Sequence, residues 1–237
     1  MFLPIPSRKS AEERFLVDVR LESGHYSHSI HVRTVICMKL DIRTICQTEV
    51  LAGATFGETA LRRLLENLPP NPSEPQPLFL DVGRIGFASS SFLRAAFLPF
   101  WVHVRSTRRN IYPVIANPNP AVAEEMADLL RTAGGAWLSC TASAESDVSN
   151  VVVLGSLEPK QKITFDEVCK RDETDAVQLT SDRIDGVQKA TAWNNRLASL
   201  ADMGLIVEIT QGRSKRYRRV LENRNYGSRL HSEAGEK

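Results

Sequence analysis

The sequence predicts an α/β protein that ends in a smaller helical unit carrying a β-hairpin. Between residues 34 and 139, apolar segments alternate between the strand period of two and the helical period of 3.6, the mark of an α/β layer structure. The stretch Thr191 to Leu221 (TAWNNRLASLADMGLIVEITQGRSKRYRRVL) changes from helical to strand spacing at a single glycine. At 237 residues, 42% of them apolar, the chain exceeds the usual size of one domain and suits two.

In the first part, Thr34 to Cys46 (TVICMKLDIRTIC) is β-rich and predicts a strand, and Phe56 to Leu68 has the spacing of an amphipathic helix. A proline-rich loop (PPNPSEPQP) separates that helix from a short apolar strand, Leu78 to Val82. Phe87 to Phe97 (FASSSFLRAAF) then leads a serine cluster into a second helix. Ser89, Ser90 or Ser91 is placed to cap it, because the free N–H groups of a helix start need an acceptor. Tyr112 to Asn117 reads as another strand, and a third helix runs from Ala121 to Ala133 and stops at Gly134-Gly135.

In the second part, Lys162 to Arg171 (KITFDEVCKR) supplies a first helix or its approach. Thr174 and Asp175 open a second, continued by Val177, Leu179 and Ile184, and Gly186 breaks it. The next helix buries Ala192, Leu197, Leu200, Ala201 and Leu205 and leaves Asn194, Asn195, Arg196 and Ser199 on its outer face. Gly204 suits a left-handed helix end, and Gln211 to Ser214 makes a hairpin turn. The return strand from Lys215 to Val220 carries four cations.

This second part resembles the winged helix-turn-helix family of bacterial transcription regulators, through Asn195-Arg196-Leu197, Met203-Gly204-Leu205, Gly212-Arg213 and Tyr217-Arg218. The resemblance implies that Thr191, Asn194, Asn195, Arg196 and Ser199 face the DNA major groove. It implies too that Arg213, Lys215, Arg216 and Arg218 meet phosphates or the adjacent minor groove. LFLDVGRIGFASSSFLRAAF, Leu78 to Phe97, resembles the central motif of STAS-like domains, the fold of anti-sigma-factor antagonists, and more closely that of bacterial STAS-like domains of unknown function. Aligned with the antagonists, Ser89 takes the position phosphorylated by a partner kinase, while Ala88 and Ser91 replace the expected Asp and Gly. The expected organisation is an N-terminal extension or edge strands (1–33), a STAS-like α/β sandwich domain (34–150), a winged helix-turn-helix domain (151–222) and a tail (223–237).

Charge agrees with this division. Up to Pro159 there are fifteen Lys and Arg against sixteen Asp and Glu, whereas Lys160 to Arg229 holds fourteen against ten. The excess suits phosphate contacts. Cys37, Cys46, Cys140 and Cys169 form no CxxC pair and are expected as buried free thiols. His25, His28 and His31 lie at a spacing that points successive strand residues to different faces, so no metal site is expected. Asp41 and Asp81 fall at strand ends, yet no base, nucleophile and oxyanion donor converge on them, and the chain has no dinucleotide or phosphate-binding glycine motif. Trp101 and Trp137 are expected in packing, and Trp193 either staples the recognition helix or touches DNA sugar. No apolar run reaches the roughly eighteen residues that span a bilayer, and the first residues lack a signal-peptide core.

The reading is therefore a cytoplasmic bacterial regulator, not an enzyme and without a cofactor. Its expected partners are DNA, a protein bound by the STAS-like domain, and a second copy of the chain. The alternative is a partner-switching adaptor whose winged helix docks on protein, in one version as part of a defence system.

Overall fold

Sequence order and strand order coincide in the main sheet, and this decides the architecture. The computed structural model describes residues 38–143, 147–186, 189–212 and 214–221. Along the chain the elements are β1 (Met38–Asp41), α1 (Ile42–Cys46), β2 (Val50–Leu51), α2 (Ala54–Glu66), β3 (Gln76–Asp81), β4 (Phe87–Ala88), α3 (Ser90–Thr107) and β5 (Ile111–Ala116). They continue with α4 (Pro120–Ala133), β6 (Ala136–Ala142), β7 (Val148–Gly155), α5 (Pro159–Cys169) and α6 (Ala176–Ser181). A 3-10 turn (Ile184–Gly186) precedes α7 (Ala190–Asp202), β8 (Ile206–Gln211) and β9 (Ser214–Arg219).

The five-stranded sheet has the order β1-β3-β5-β6-β7. Its first four strands are parallel, and β7 closes one edge antiparallel to β6. Consecutive parallel strands laid side by side in one direction, joined by right-handed crossovers, put every crossover helix on the same face. On that face Leu78, Leu80, Ile111, Ile115 and Trp137 share a core with residues of α2, α3 and α4, among them Leu64, Phe92, Phe97, Met126 and Leu130.

The intervening residues of the same strands point the other way, as the period of two requires. Phe79, Tyr112, Val114, Ala116, Leu138 and Cys140 form a second core together with Phe165, Val168, Leu179, Trp193, Leu197, Leu200, Leu205 and Tyr217 of the C-terminal elements. The C-terminal unit is the cover of the sheet's second face. All described residues accordingly lie within one compact unit, Cys37–Lys237. The boundary expected between residues 150 and 151 falls inside β7, the strand that pairs antiparallel with β6.

Arg105, in the last turn of α3, ties the two layers together. Its guanidinium donates to the Ile111 carbonyl at 2.9 Å and to the Ala201 carbonyl of α7 at 3.0 Å, and it lies 4.2 Å from the centre of the Tyr112 ring. Gly204 follows α7 with φ of 78°, and a Cβ there would stand 3.2 Å from the Arg105 side chain. A second close approach joins α2 to α3, where a Cβ at Gly57 would stand 2.8 Å from that of Ala95 and 2.9 Å from the Phe92 carbonyl.

Several elements differ from expectation for local reasons. The β-rich run to Cys46 is a strand only to Asp41: the Asp41 carboxylate accepts the Thr44 amide at 3.1 Å and starts α1, which ends at Gln47 with φ of 60°. The helix α3 passes through Pro99 without ending there, because its buried stripe (Phe92, Phe97, Phe100, Trp101, Val104) outweighs one missing amide. Thr174 belongs to no helix; it pairs as an antiparallel bridge with Tyr217, and Asp175 caps α6 by accepting the Gln178 amide at 2.8 Å. Val177, expected on the apolar face of α6, is 71% exposed, and Ala176 and Leu179 fill the core. The segment 1–33, Cys37, His25, His28, His31, Arg213 and the tail 223–237 lie outside the described residues. Cys46, Cys140 and Cys169 are buried and form no disulfide, and burial pushes the Cys46 thiol up to about 11 against the lowering effect of Arg63.

Candidate nucleic-acid interface

The helix α7 is amphipathic because Trp193, Leu197, Leu200 and Ala201 recur at helical spacing and are buried. Trp193 is fully buried, so it packs the helix and does not present its ring to a ligand. The solvent stripe holds Thr191, Asn194, Asn195 and, at its far end, Asp202. Three uncharged hydrogen-bonding side chains thus occupy the N-terminal half, and a carboxylate marks the C-terminal end.

Arg196 and Ser199 are half-buried and turn toward the protein. The Arg196 guanidinium lies 5.0 Å from the centre of the Trp193 ring. The Ser199 hydroxyl accepts from the Gln161 side-chain amide at 3.0 Å, which joins α7 to the first turn of α5. The same Gln161 closes a capping box with Glu158 at the start of α5.

β8 and β9 pair antiparallel from Ile206↔Arg219 to Gln211↔Ser214, and Gly212 takes the turn with φ of 62°. The four cations of β9 are set among carboxylates. Lys215 Nζ lies 2.9 Å from Glu208 Oε1 on the facing strand. Arg216 Nε lies 3.2 Å from Glu173 Oε1, an ion pair without hydrogen-bond alignment. Arg219 reaches Asp172 at 3.6 Å, and Arg218 is half-buried. Between these cations, Tyr217 is buried and donates its hydroxyl to Glu208 Oε2 at 3.3 Å; burial first, and then the Glu208 charge and hydrogen bond, push its phenol up to about 12. Asp172 and Glu173 come from the loop between α5 and α6 and Glu208 from β8, so only the fold brings them together beside β9.

The serine cluster sits at the N-terminus of α3, the longest of the described helices. Ser89 caps α3, its hydroxyl accepting the Phe92 amide and the Gly53 amide, each at 3.3 Å, and meeting the Ser91 hydroxyl at 3.0 Å. Ser90 is exposed and donates to Glu125 of α4 at 2.6 Å, and Ser91 is exposed. Beside them Val50 and Phe87, register partners in the small β2-β4 sheet, are 54% and 44% exposed.

A polar network lies at the carboxyl ends of the parallel strands. Asp81 takes Lys39 Nζ at 2.6 Å, the Gly83 amide at 2.9 Å and the Asn117 side-chain amide at 3.2 Å. Burial would raise the Asp81 carboxyl, but these hydrogen bonds outweigh it and hold it below its ordinary value. Asp41 pairs with Arg84, which also donates to the Thr44 hydroxyl at 3.0 Å. Each of the two carboxylates is thus paired with a cation and a backbone amide of the protein.

Among the described residues no group of His, Cys, Asp and Glu could hold a metal ion, and no helix is long and apolar enough to cross a membrane. Compared with protein-family models, curated proteins and solved structures, the chain matches none.

Proposed function

We propose that the chain is a DNA-binding regulatory protein in which α7 reads the major groove and the β8-β9 hairpin lies against the backbone. The observation that carries this reading is the exposed stripe of Thr191, Asn194 and Asn195 on a helix held in the order helix, bridge strand, helix, helix, hairpin. That order is the one expected of a winged helix-turn-helix, whose recognition helix presents its N-terminal residues to base edges. Asparagine suits this task because its amide both donates to and accepts from adenine in the major groove. Asp202 limits the contact to the first half of the helix, since a carboxylate is repelled by phosphate. The α/β layer, STAS-like by resemblance, is the part that senses or binds a partner, and two copies would read a two-fold site.

The test is selection of a preferred site from random duplexes, followed by Asn194→Ala and Asn195→Ala. Each side chain that makes a bidentate base contact is expected to be worth about 1 to 3 kcal/mol of discrimination. Folded variants that keep the wild-type preference would remove the recognition role from α7.

The adaptor alternative draws on a different observation, the exposed pair Val50 and Phe87 beside the serine cluster, which suits a protein partner better than a nucleic acid. It predicts no duplex binding even at low salt.

A further inference from the structure

The sequence suggests a strongly cationic hairpin, with Lys215, Arg216, Arg218 and Arg219 on one short strand. The structure sets three carboxylates against them. Glu208 stands 2.9 Å from Lys215, Glu173 stands 3.2 Å from Arg216, and Asp172 stands 3.6 Å from Arg219. Glu173 and Glu208 have side chains only 31% and 28% exposed, so they are held in place by packing, whereas Asp172 is fully exposed and its pairing with Arg219 is long.

Two neighbours fix the held carboxylates. Glu208 accepts the Tyr217 hydroxyl at 3.3 Å, and Tyr217 is itself locked by its backbone bridge to Thr174. Glu173 directly precedes Thr174, so the bridge that pins Thr174 to β9 also delivers Glu173 to Arg216. The same hydrogen bonds that build the hairpin base therefore place negative charge on it.

We infer that Glu173 and Glu208 are built-in counter-anions that set the affinity of the hairpin for the DNA backbone. This rests on the DNA-binding reading and adds to it a restraint on the same surface. The Lys215 and Arg216 side chains remain 53% and 39% exposed, so the pairs do not lock the cations away. Their effect is the standing charge: a cation that brings its own carboxylate to a phosphate contributes little net neutralisation and releases few counterions. Backbone affinity is thereby held down, and the uncharged stripe of α7 carries a larger share of the binding.

The experiment uses the full chain and a mixed-sequence DNA duplex, titrated across a range of salt concentrations. Glu173→Gln and Glu208→Gln keep shape, and the Gln carbonyl still accepts from Tyr217. Each is expected to tighten binding up to about fivefold, the scale set by exposed ion pairs, and to steepen the log–log salt slope by roughly one unit. Glu66→Gln, the same charge change on the exposed end of α2, is the control and is expected to leave both unchanged. The double variant Glu173→Gln with Glu208→Gln is measured beside them; thermal melts check that each variant folds, and either single variant suffices if the double does not fold. Wild-type affinity and slope in folded Glu173→Gln and Glu208→Gln would overturn the inference and leave the DNA-binding reading standing, as would an equal response to Glu66→Gln. Failure of both wild type and the double variant to bind duplex at low salt would overturn both.

Discussion

Removing the C-terminal unit is expected to unfold the α/β layer, not to liberate it. The perturbation is a chain ending at Ser156, which keeps all five strands and α2 to α4. It strips the second face of the sheet, where Phe79, Tyr112, Val114 and Leu138 are at most 4% exposed. At about 1.5–3 kcal/mol for each large apolar side chain returned to water, those four alone cost about 6–12 kcal/mol. A domain has about 5–15 kcal/mol of total stability, so the loss is comparable with everything that holds the layer together. Expression of the fragment should yield aggregated material or a species that binds a hydrophobic dye and melts without cooperativity. The full chain should show one cooperative transition rather than two. A soluble fragment with a sharp melt near that of the full chain would refute the argument and restore the expectation of two independent domains.

Two further outcomes test the serine cap and the polar network. Ser89→Ala removes the acceptor for the Phe92 and Gly53 amides and is expected to cost about 1 kcal/mol, or about 2–4 °C in melting temperature, whereas Ser89→Asp, which also caps, should cost little; equal melts for both variants would deny the cap. The Asp81 carboxyl is held below its ordinary 3.8, so its contribution is fully present above that pH and is lost as pH falls through the lower folded value. Asp81→Asn should therefore be less stable at neutral pH and lose stability less steeply under acid, and parallel curves of melting temperature against pH would contradict it.

What the sequence made legible was whatever rests on local spacing. The strand around Leu78 to Leu80, the helix from Phe56, the helix stop at Gly134 and the left-handed residue at Gly204 depend on residues a few positions apart, and local spacing places them within two or three residues. The stripe of α7 was half legible. Helical spacing separated Leu197 and Leu200 from Asn194 and Asn195, but it could not show that Gln161, on another helix, would take Ser199, or that Arg196 would turn toward Trp193. The shared core was illegible for a different reason. A period of two says that a strand has two faces and not what covers each, so the apolar residues Phe79, Val114 and Leu138 could not announce that α5 to β9 pack on them. Charge misled in the same way: a run of four cations is visible in one dimension, and the carboxylates opposite them are neighbours only in three.

The shared core also restricts how a signal could travel. Had the two parts been tethered by a flexible linker, a molecule bound to the α/β layer could act on the C-terminal unit only by blocking or freeing it whole. Here α7 is seated on the sheet through Trp193, Leu197 and Leu200, and its last turn is bonded to Arg105. The helix that carries Arg105 is capped by Ser89, and its eighteen residues span about 27 Å. One continuous helix therefore runs from the serine cap to the carbonyl of Ala201, and Pro99 interrupts its hydrogen bonds midway without ending it. The close contact of Gly57 with Phe92 and Ala95 leaves its N-terminal half little room to slide, so a displacement at the cap would be taken up by bending at Pro99. Coupling between the two ends would need a second position of α3, and the Arg105 bond to the Ala201 carbonyl is the contact with α7 that such a position would change.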